Sequence, residues 1–209
     1  FWIVMLVFGL LAFASMASDD VSIGGGVGNI MRNAPAVVIS LLGSFSVMSV
    51  LLTTIFVAGI ALRDFEQRTA ELFFATPMRK RDYLLGRFGG GFLASLAIML
   101  ATAAGLWLGS LMPWLDQARL GPTPWAAYAW TFAVLVLPNL LFLSALLFLL
   151  ATLTRSMLYT YIGVIAFCVL WTVAGFLTQD LDSRWIGALL DPSGTTAVGE
   201  HIRYWSSAQ

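Results

Sequence analysis

The chain has 209 residues, 59% of them hydrophobic and 11% charged, and its 11 Lys and Arg balance its 11 Asp and Glu. A soluble globular domain carries about 25% charged residues, so this composition points to lipid as the solvent. Zero net charge argues against a nucleic-acid partner, which would favour a basic surface, and the single Cys168 excludes an intrachain disulfide or cysteine metal cluster.

A bilayer core of about 30 Å takes about 20 mostly apolar residues as a helix. Five stretches meet or approach that length, at 1–18, 36–62, 88–111, 128–153 and 157–177. None contains Asp, Glu, Lys, Arg or His, as expected where an ion in hydrocarbon is costly. The expected fold is therefore all-α, a polytopic transmembrane helix bundle. The first stretch, Phe1 to Ser18, has neither a starting Met nor a basic flank. A signal peptide would need a positive n-region, so a truncated first span of a longer protein is the favoured reading.

The segment 19–35 carries Asp19, Asp20 and Arg32 and the run Gly24-Gly25-Gly26-Val27-Gly28. That run lacks the Lys-Ser/Thr of a phosphate loop and reads as a flexible connection. In the second span Gly43, Ser46, Ser49 and Thr53 fall roughly on one helical face. Two readings stay open for them: a polar path, or hydroxyls bonded to their own helix or a neighbour, which is the more usual fate. In the third span Ala97, Ala101, Gly105 and Gly109 recur every four residues as a small stripe that admits close helix approach. Bundle packing is favoured there over a dimer seam. Trp114, Trp125, Tyr128 and Trp130 bracket the next loop as interfacial anchors. Pro138 then interrupts the fourth span and should kink it, as a fixed bend before a hinge. The amide of the adjacent Asn139 is available to the freed backbone or to a neighbouring helix. Tyr159 and Tyr161 lie near the start of the fifth span, and His201 in the polar tail reads as a surface residue.

Orientation follows from Lys and Arg. The 63–87 loop holds Arg63, Arg68, Arg79, Lys80, Arg81 and Arg87, and the 154–156 turn on the same side holds Arg155. The opposite segments 19–35, 112–127 and 178–209 hold Arg32, Arg119, Arg184 and Arg203 and most of the acids, including Asp180, Asp182 and Asp191. Loops 63–87 and 154–156 are accordingly expected in the cytoplasm.

The charged loop begins as a helix, with Asp64 and Arg68, then Arg68 and Glu71, at pairing distance along one face. It should stop before Pro77. Thr76 can cap a second helix with Pro77 at its first position, carrying Arg79, Lys80 and Arg81 and entering the third span through Gly86 and Gly89–Gly91. A basic amphipathic connection resting on anionic headgroups is one reading. A rigid platform for a cytoplasmic partner is the other.

The run Glu71-Leu72-Phe73-Phe74-Ala75-Thr76-Pro77, the basic cluster after it and Tyr83-Leu84-Leu85-Gly86-Arg87 resemble the same region of type-2 ABC transporter permeases. The resemblance implies a six-span subunit, of which five spans are visible, paired with a second permease copy or paralogue and with cytoplasmic ATPase subunits that hold the ATP and Mg. It implies that residues 1–177 form the transmembrane domain and that 63–87 is its coupling loop. Residues 178–209 would be an extracytoplasmic segment ahead of a sixth span that is missing here. By position, Glu66, Glu71, Thr76, Pro77, Arg79 and Arg81 fall in the coupling region, and Tyr83 and Gly86 set the entry into the third span. The segment Leu190-Asp191-Pro192 with Ile202-Arg203-Tyr204-Trp205 is similar to the outer segment of large bacterial permeases, some fused to a zinc-peptidase-like domain. No H-E-x-x-H motif is present, so no peptidase activity is assigned. The chain is thus expected in a bacterial inner membrane as a non-enzymatic permease subunit of an exporter, in contact with the bilayer. The competing expectation is a membrane anchor or scaffold whose basic loop binds lipid.

Overall fold

Pro35 opens the longest-buried rod of the molecule: α2 (Pro35–Leu52) runs through a π-helical stretch (Thr53–Ala58) into α3 (Gly59–Glu66) without interruption. This is a computed structural model, and it describes residues 1–18, 31–67, 79–115, 120–177 and 191–202. Of residues 64–66, 177, 196 and 200–202 only the backbone is described. α1 (Trp2–Ala17) precedes the rod. α4 (Lys80–Ser110) follows, then α5 (Trp125–Thr131), a second π-helical stretch (Phe132–Val136) and α6 (Leu137–Thr154) in one continuous helix. α7 (Met157–Leu177) and the short α8 (Thr195–Ile202) complete the described elements, all of which are helical.

Among the described residues, four helical stretches are long and apolar enough to cross a membrane: Pro35–Arg63, Lys80–Ser110, Trp125–Thr154 and Met157–Phe176. α1, at 16 residues, is apolar but shorter. The five expected stretches are therefore all helices, with four of full spanning length.

The third helix differs from its expectation at its start. It begins at Lys80, with Arg79 extended at the N-cap, so the charged residues Lys80 to Arg87 belong to the span's own helix. Thr76 and Pro77, expected to cap and open it, lie before that start and outside the described residues. Gly86, Gly89 and Gly90 do not interrupt it. One helical rod can absorb such residues because each costs only about 1 kcal/mol relative to Ala.

Pro138 lies inside a continuous helix, as the 128–153 stretch expects. Its ring lacks an N–H and would press on the carbonyl one turn earlier. The wide turn Phe132–Val136 immediately precedes it, with the Leu137 N–H bonded to the Phe132 carbonyl five residues back. That extra residue per turn lets the chain pass the proline as helix.

The second span is the centre of the bundle. Its Val38, Leu42 and Phe45 pack with Phe8, Ala12 and Met16 of α1 and Ile98, Met99 and Leu106 of α4. Lower down, Val50, Ala58 and Leu62 pack with Leu143, Leu147 and Ala151 of α6 and Phe167 of α7. Within the apolar window of each span, 61% of the second is buried against 17% of Met157–Phe176, so α7 lies at the periphery.

Candidate functional site

The sequence directs attention first to the face carrying the charged loop. Arg79, Lys80, Arg81 and Gly86 are exposed there, Tyr83 and Arg87 half-buried. Glu66 ends α3, while Glu71, Thr76 and Pro77 lie outside the described residues. Arg87 is the structural link. Its guanidinium donates to the Ile60 carbonyl of α3, and its Cζ lies 5.1 Å from the centroid of the Tyr83 ring. One turn further along α4, a Cβ on Gly91 would stand 2.6 Å from the Phe56 carbonyl oxygen and 2.9 Å from the Val57 Cα. Arg87 and Gly91 share a helical face at i, i+4. Together they seat the entry of α4 directly on the π-helical turn and the start of α3. Arg87 was read from the sequence as an orienting charge, and Gly91 as part of a glycine run. Their contact with the second span needed the fold.

The turn between α6 and α7 lies beside this junction. Arg155 sits in the left-handed region at φ 51, closing α6 with its N–H on the Ala151 carbonyl. A Cβ on Gly59 would lie 3.9 Å from Met157 Cε, which brings the 154–157 turn to the same face as Ile60 and Arg87.

The small stripe of α4 faces α1. A Cβ on Gly105 would come 2.3 Å from the Gly9 carbonyl oxygen, and one on Gly109 2.7 Å from that of Phe13. Gly9 in turn would meet the Ala101 carbonyl at 3.6 Å, while Ala97 is half-buried. The stripe is thus occupied within the chain, with Gly9 as its partner on α1.

The hydroxyl face of the second span has mixed fates. Thr53 bonds back to the Val50 carbonyl at 3.0 Å. Gly43 lies against Leu135 and Thr195. Ser46 accepts from Asn139 Nδ2 at 2.8 Å. The same amide group donates to the Ser193 carbonyl at 2.7 Å, so the residue beside Pro138 spans the bundle and leaves its own backbone alone. Ser49 Oγ and Ser144 Oγ are buried with no hydrogen-bond partner among the described residues.

Ser193 belongs to a tight polar turn that the sequence reading placed outside the bundle. Asp191 Oδ1 accepts from the Ser193 N–H at 2.8 Å and its Oγ–H at 2.6 Å, and Oδ2 accepts from Thr195 Oγ–H at 3.2 Å. Gly194 follows at φ 67 and α8 starts next, so Asp191 acts as the turn's organiser as carboxylates do at helix starts. Asp191 is only 7% exposed and Ser193 3%. Asn139 lies roughly 20 Å along its helix from Trp125, at about 1.5 Å per residue, which is well inside a core of about 30 Å. The 191–202 segment therefore folds back into the bundle. The sequence reading put Asp191 and Pro192 in an outer segment, and neither the turn nor its depth was legible there.

Compared with protein-family models, with curated proteins and with solved structures, the chain matches none.

Proposed function

We propose that the chain is the membrane-spanning permease subunit of an ATP-driven ABC exporter in a bacterial inner membrane, with loops 63–87 and 154–156 in the cytoplasm. A separate ATPase subunit binds ATP and Mg, and the chain does no bond chemistry itself. A second permease copy or paralogue completes the pathway. The observation that carries the reading is the seating of Arg87 and Gly91 on Ile60 and Phe56. A push on the charged loop reaches α4 at Lys80. The Arg87 bond and the bare Gly91 contact then deliver it to the π-helical turn of the most buried span, without slack for a side chain to absorb it. Rigid helices packed at backbone distance transmit displacement, since cores are close-packed and poorly compressible.

A second reading rests on the start of α4. Arg79, Lys80 and Arg81 are exposed beside exposed Leu84 and Leu85. That combination suits a headgroup layer, where basic residues meet anionic lipid at about 1 kcal/mol each. It supports a membrane anchor or scaffold with a lipid-binding loop.

Affinity purification of the tagged chain from its native membrane separates the two. The transport reading expects an ATPase subunit to co-purify and Glu71→Lys with Arg79→Glu to abolish that association. If association is absent or persists unchanged, and the double variant alters only binding to anionic liposomes, the anchor reading holds.

A further inference from the structure

A cavity of about 210 Å³ opens between the second span, the second π-helical stretch, α7 and α8, lined by Ile39, Gly43, Leu135, Trp171, Thr195 and Gly199 among others. Among the described residues, no Asp, Glu, Lys, Arg or His lines it. The hydroxyls in its wall are already used. Ser40 bonds to the Ala36 carbonyl, Ser44 to the Ser40 carbonyl, and Thr195 to Asp191. A charged or strongly hydrogen-bonding guest would lose its hydration there without replacement. An apolar guest would not.

Size and depth narrow the choice. An apolar cavity of about 150 Å³ holds a benzene molecule, so this one takes a somewhat longer stretch of hydrocarbon. Ile39 to Val47 lies roughly 6–18 Å along the helix from Pro35, and Trp171 roughly 9 Å from the end of α7, at about 1.5 Å per residue. Half of a bilayer core is about 15 Å, so both walls stand at acyl-chain depth in the leaflet away from Arg63. Ser44, Trp171 and Gly199 are exposed, and at that depth the bundle's surroundings are lipid chains. The fourth wall is held open by bonds. Trp171 Nε1–H reaches Thr195 Oγ1 at 3.5 Å, and Asn139 pegs the turn ahead of α8.

We propose that this cavity is a binding site for one acyl chain of a bilayer lipid from the leaflet opposite the charged loop. The proposal rests on the chain lying in a bilayer and not on the transport reading, so either can fail alone. Ile39 and Leu135 are the reporters, because they are 3% and 4% exposed and lie beyond reach of lipid that merely surrounds the bundle.

The test is reconstitution of the full chain in nanodiscs containing a phospholipid with a diazirine in mid-chain, followed by irradiation and peptide mass spectrometry. Adducts are expected on Ile39 or Leu135 as well as on lipid-facing Leu149 and Ile162. Gly199 lines the cavity, and a Cβ on it meets no described atom within 4 Å, so a larger side chain can be placed in its wall. Gly199→Phe should lower the Ile39 and Leu135 adducts about fivefold or more, as expected for a filled pocket, and leave Leu149 unchanged. Gly199→Leu should lower them less, and carries the test if the phenylalanine variant is unstable. Adducts on Leu149 without any on Ile39 or Leu135 would overturn the proposal. So would recessed adducts that neither Gly199 variant reduces.

Discussion

Asn139 and Ser144 stand barely more than a turn apart on the fourth span and are both buried, yet their polar atoms meet opposite conditions. Asn139 spends both amide hydrogens, one on Ser46 and one on the Ser193 carbonyl. Ser144 Oγ and, on the second span, Ser49 Oγ have no partner among the described residues. Leaving a buried group unsatisfied costs about 1–3 kcal/mol, whereas removing an unsatisfied one relieves that cost. Asn139→Ala strips the donor from two acceptors at once and should destabilise the protein by about 1–2 kcal/mol, in line with hydrogen bonds inside membrane bundles. Ser144→Ala and Ser49→Ala should be neutral, or stabilising by up to about 1 kcal/mol. Thermal unfolding in detergent reads all three. A midpoint that falls for Ser144→Ala as far as for Asn139→Ala would mean that the serine hydroxyl is bonded after all.

Between elements, the glycines of α4 do two different jobs, and spacing alone does not separate them. Gly105 and Gly109 lie at backbone distance from α1, as Gly91 does from the π-helical turn, while Gly86, Gly89 and Gly90 have open space around them. Gly105→Ala must push a methyl to 2.3 Å from the Gly9 carbonyl oxygen, so the two helices have to separate. Overpacking of that kind costs about 1–3 kcal/mol. Gly89→Ala meets nothing and replaces the poorest ordinary helix former with the best, worth up to about 1 kcal/mol. Chemical or thermal unfolding of the pair should move in opposite directions, and a loss of stability in Gly89→Ala would disprove the open surroundings assigned to it.

This contrast also marks what the sequence made legible. The four-residue period announced a packing face on α4, because small residues at helical spacing have that consequence whatever the partner. The identity of the partner, α1 with Gly9, depended on tertiary placement. The apolar runs located the helices because hydrocarbon forbids charge. Their ends were less legible, since Lys80 to Arg87 continue the third span as helix despite their charge. The polar turn at Asp191 read as an outer loop because its residues are polar. Asn139 and Ser46 supply, from within the bundle, the bonds that allow it to be buried.

At the scale of the whole molecule, charge and connectivity divide the bundle into two faces. The Arg87–Ile60 bond and the approach of Gly59 to Met157 gather the ends of α3, α4, α6 and α7 on one face, with Arg63, Arg79, Lys80, Arg81, Arg87 and Arg155. The other face is stitched by different bonds. Arg32 donates to the Ser18 carbonyl, Trp114 Nε1–H to the Ala17 carbonyl at 3.2 Å, and Asn33 exchanges two hydrogen bonds with the Gly121 backbone. The two groups of contacts fix which segments share a side, independently of any count of spans. On the proposed reading the Lys and Arg excess sets the direction, because short loops rich in them stay in the cytoplasm. Single cysteines introduced into a Cys168→Ser background, at Lys80, Ser156 and Trp114, test both steps in intact cells with a membrane-impermeant maleimide. Trp114→Cys should label from outside. Lys80→Cys and Ser156→Cys should label only after the cells are opened, and together. Reversed labelling would refute the cytoplasmic placement of the charged loop and with it the transport reading, while leaving the fold intact. Labelling that separates Lys80→Cys from Ser156→Cys would refute the bundle itself, since no orientation of this structure puts those two positions on different sides.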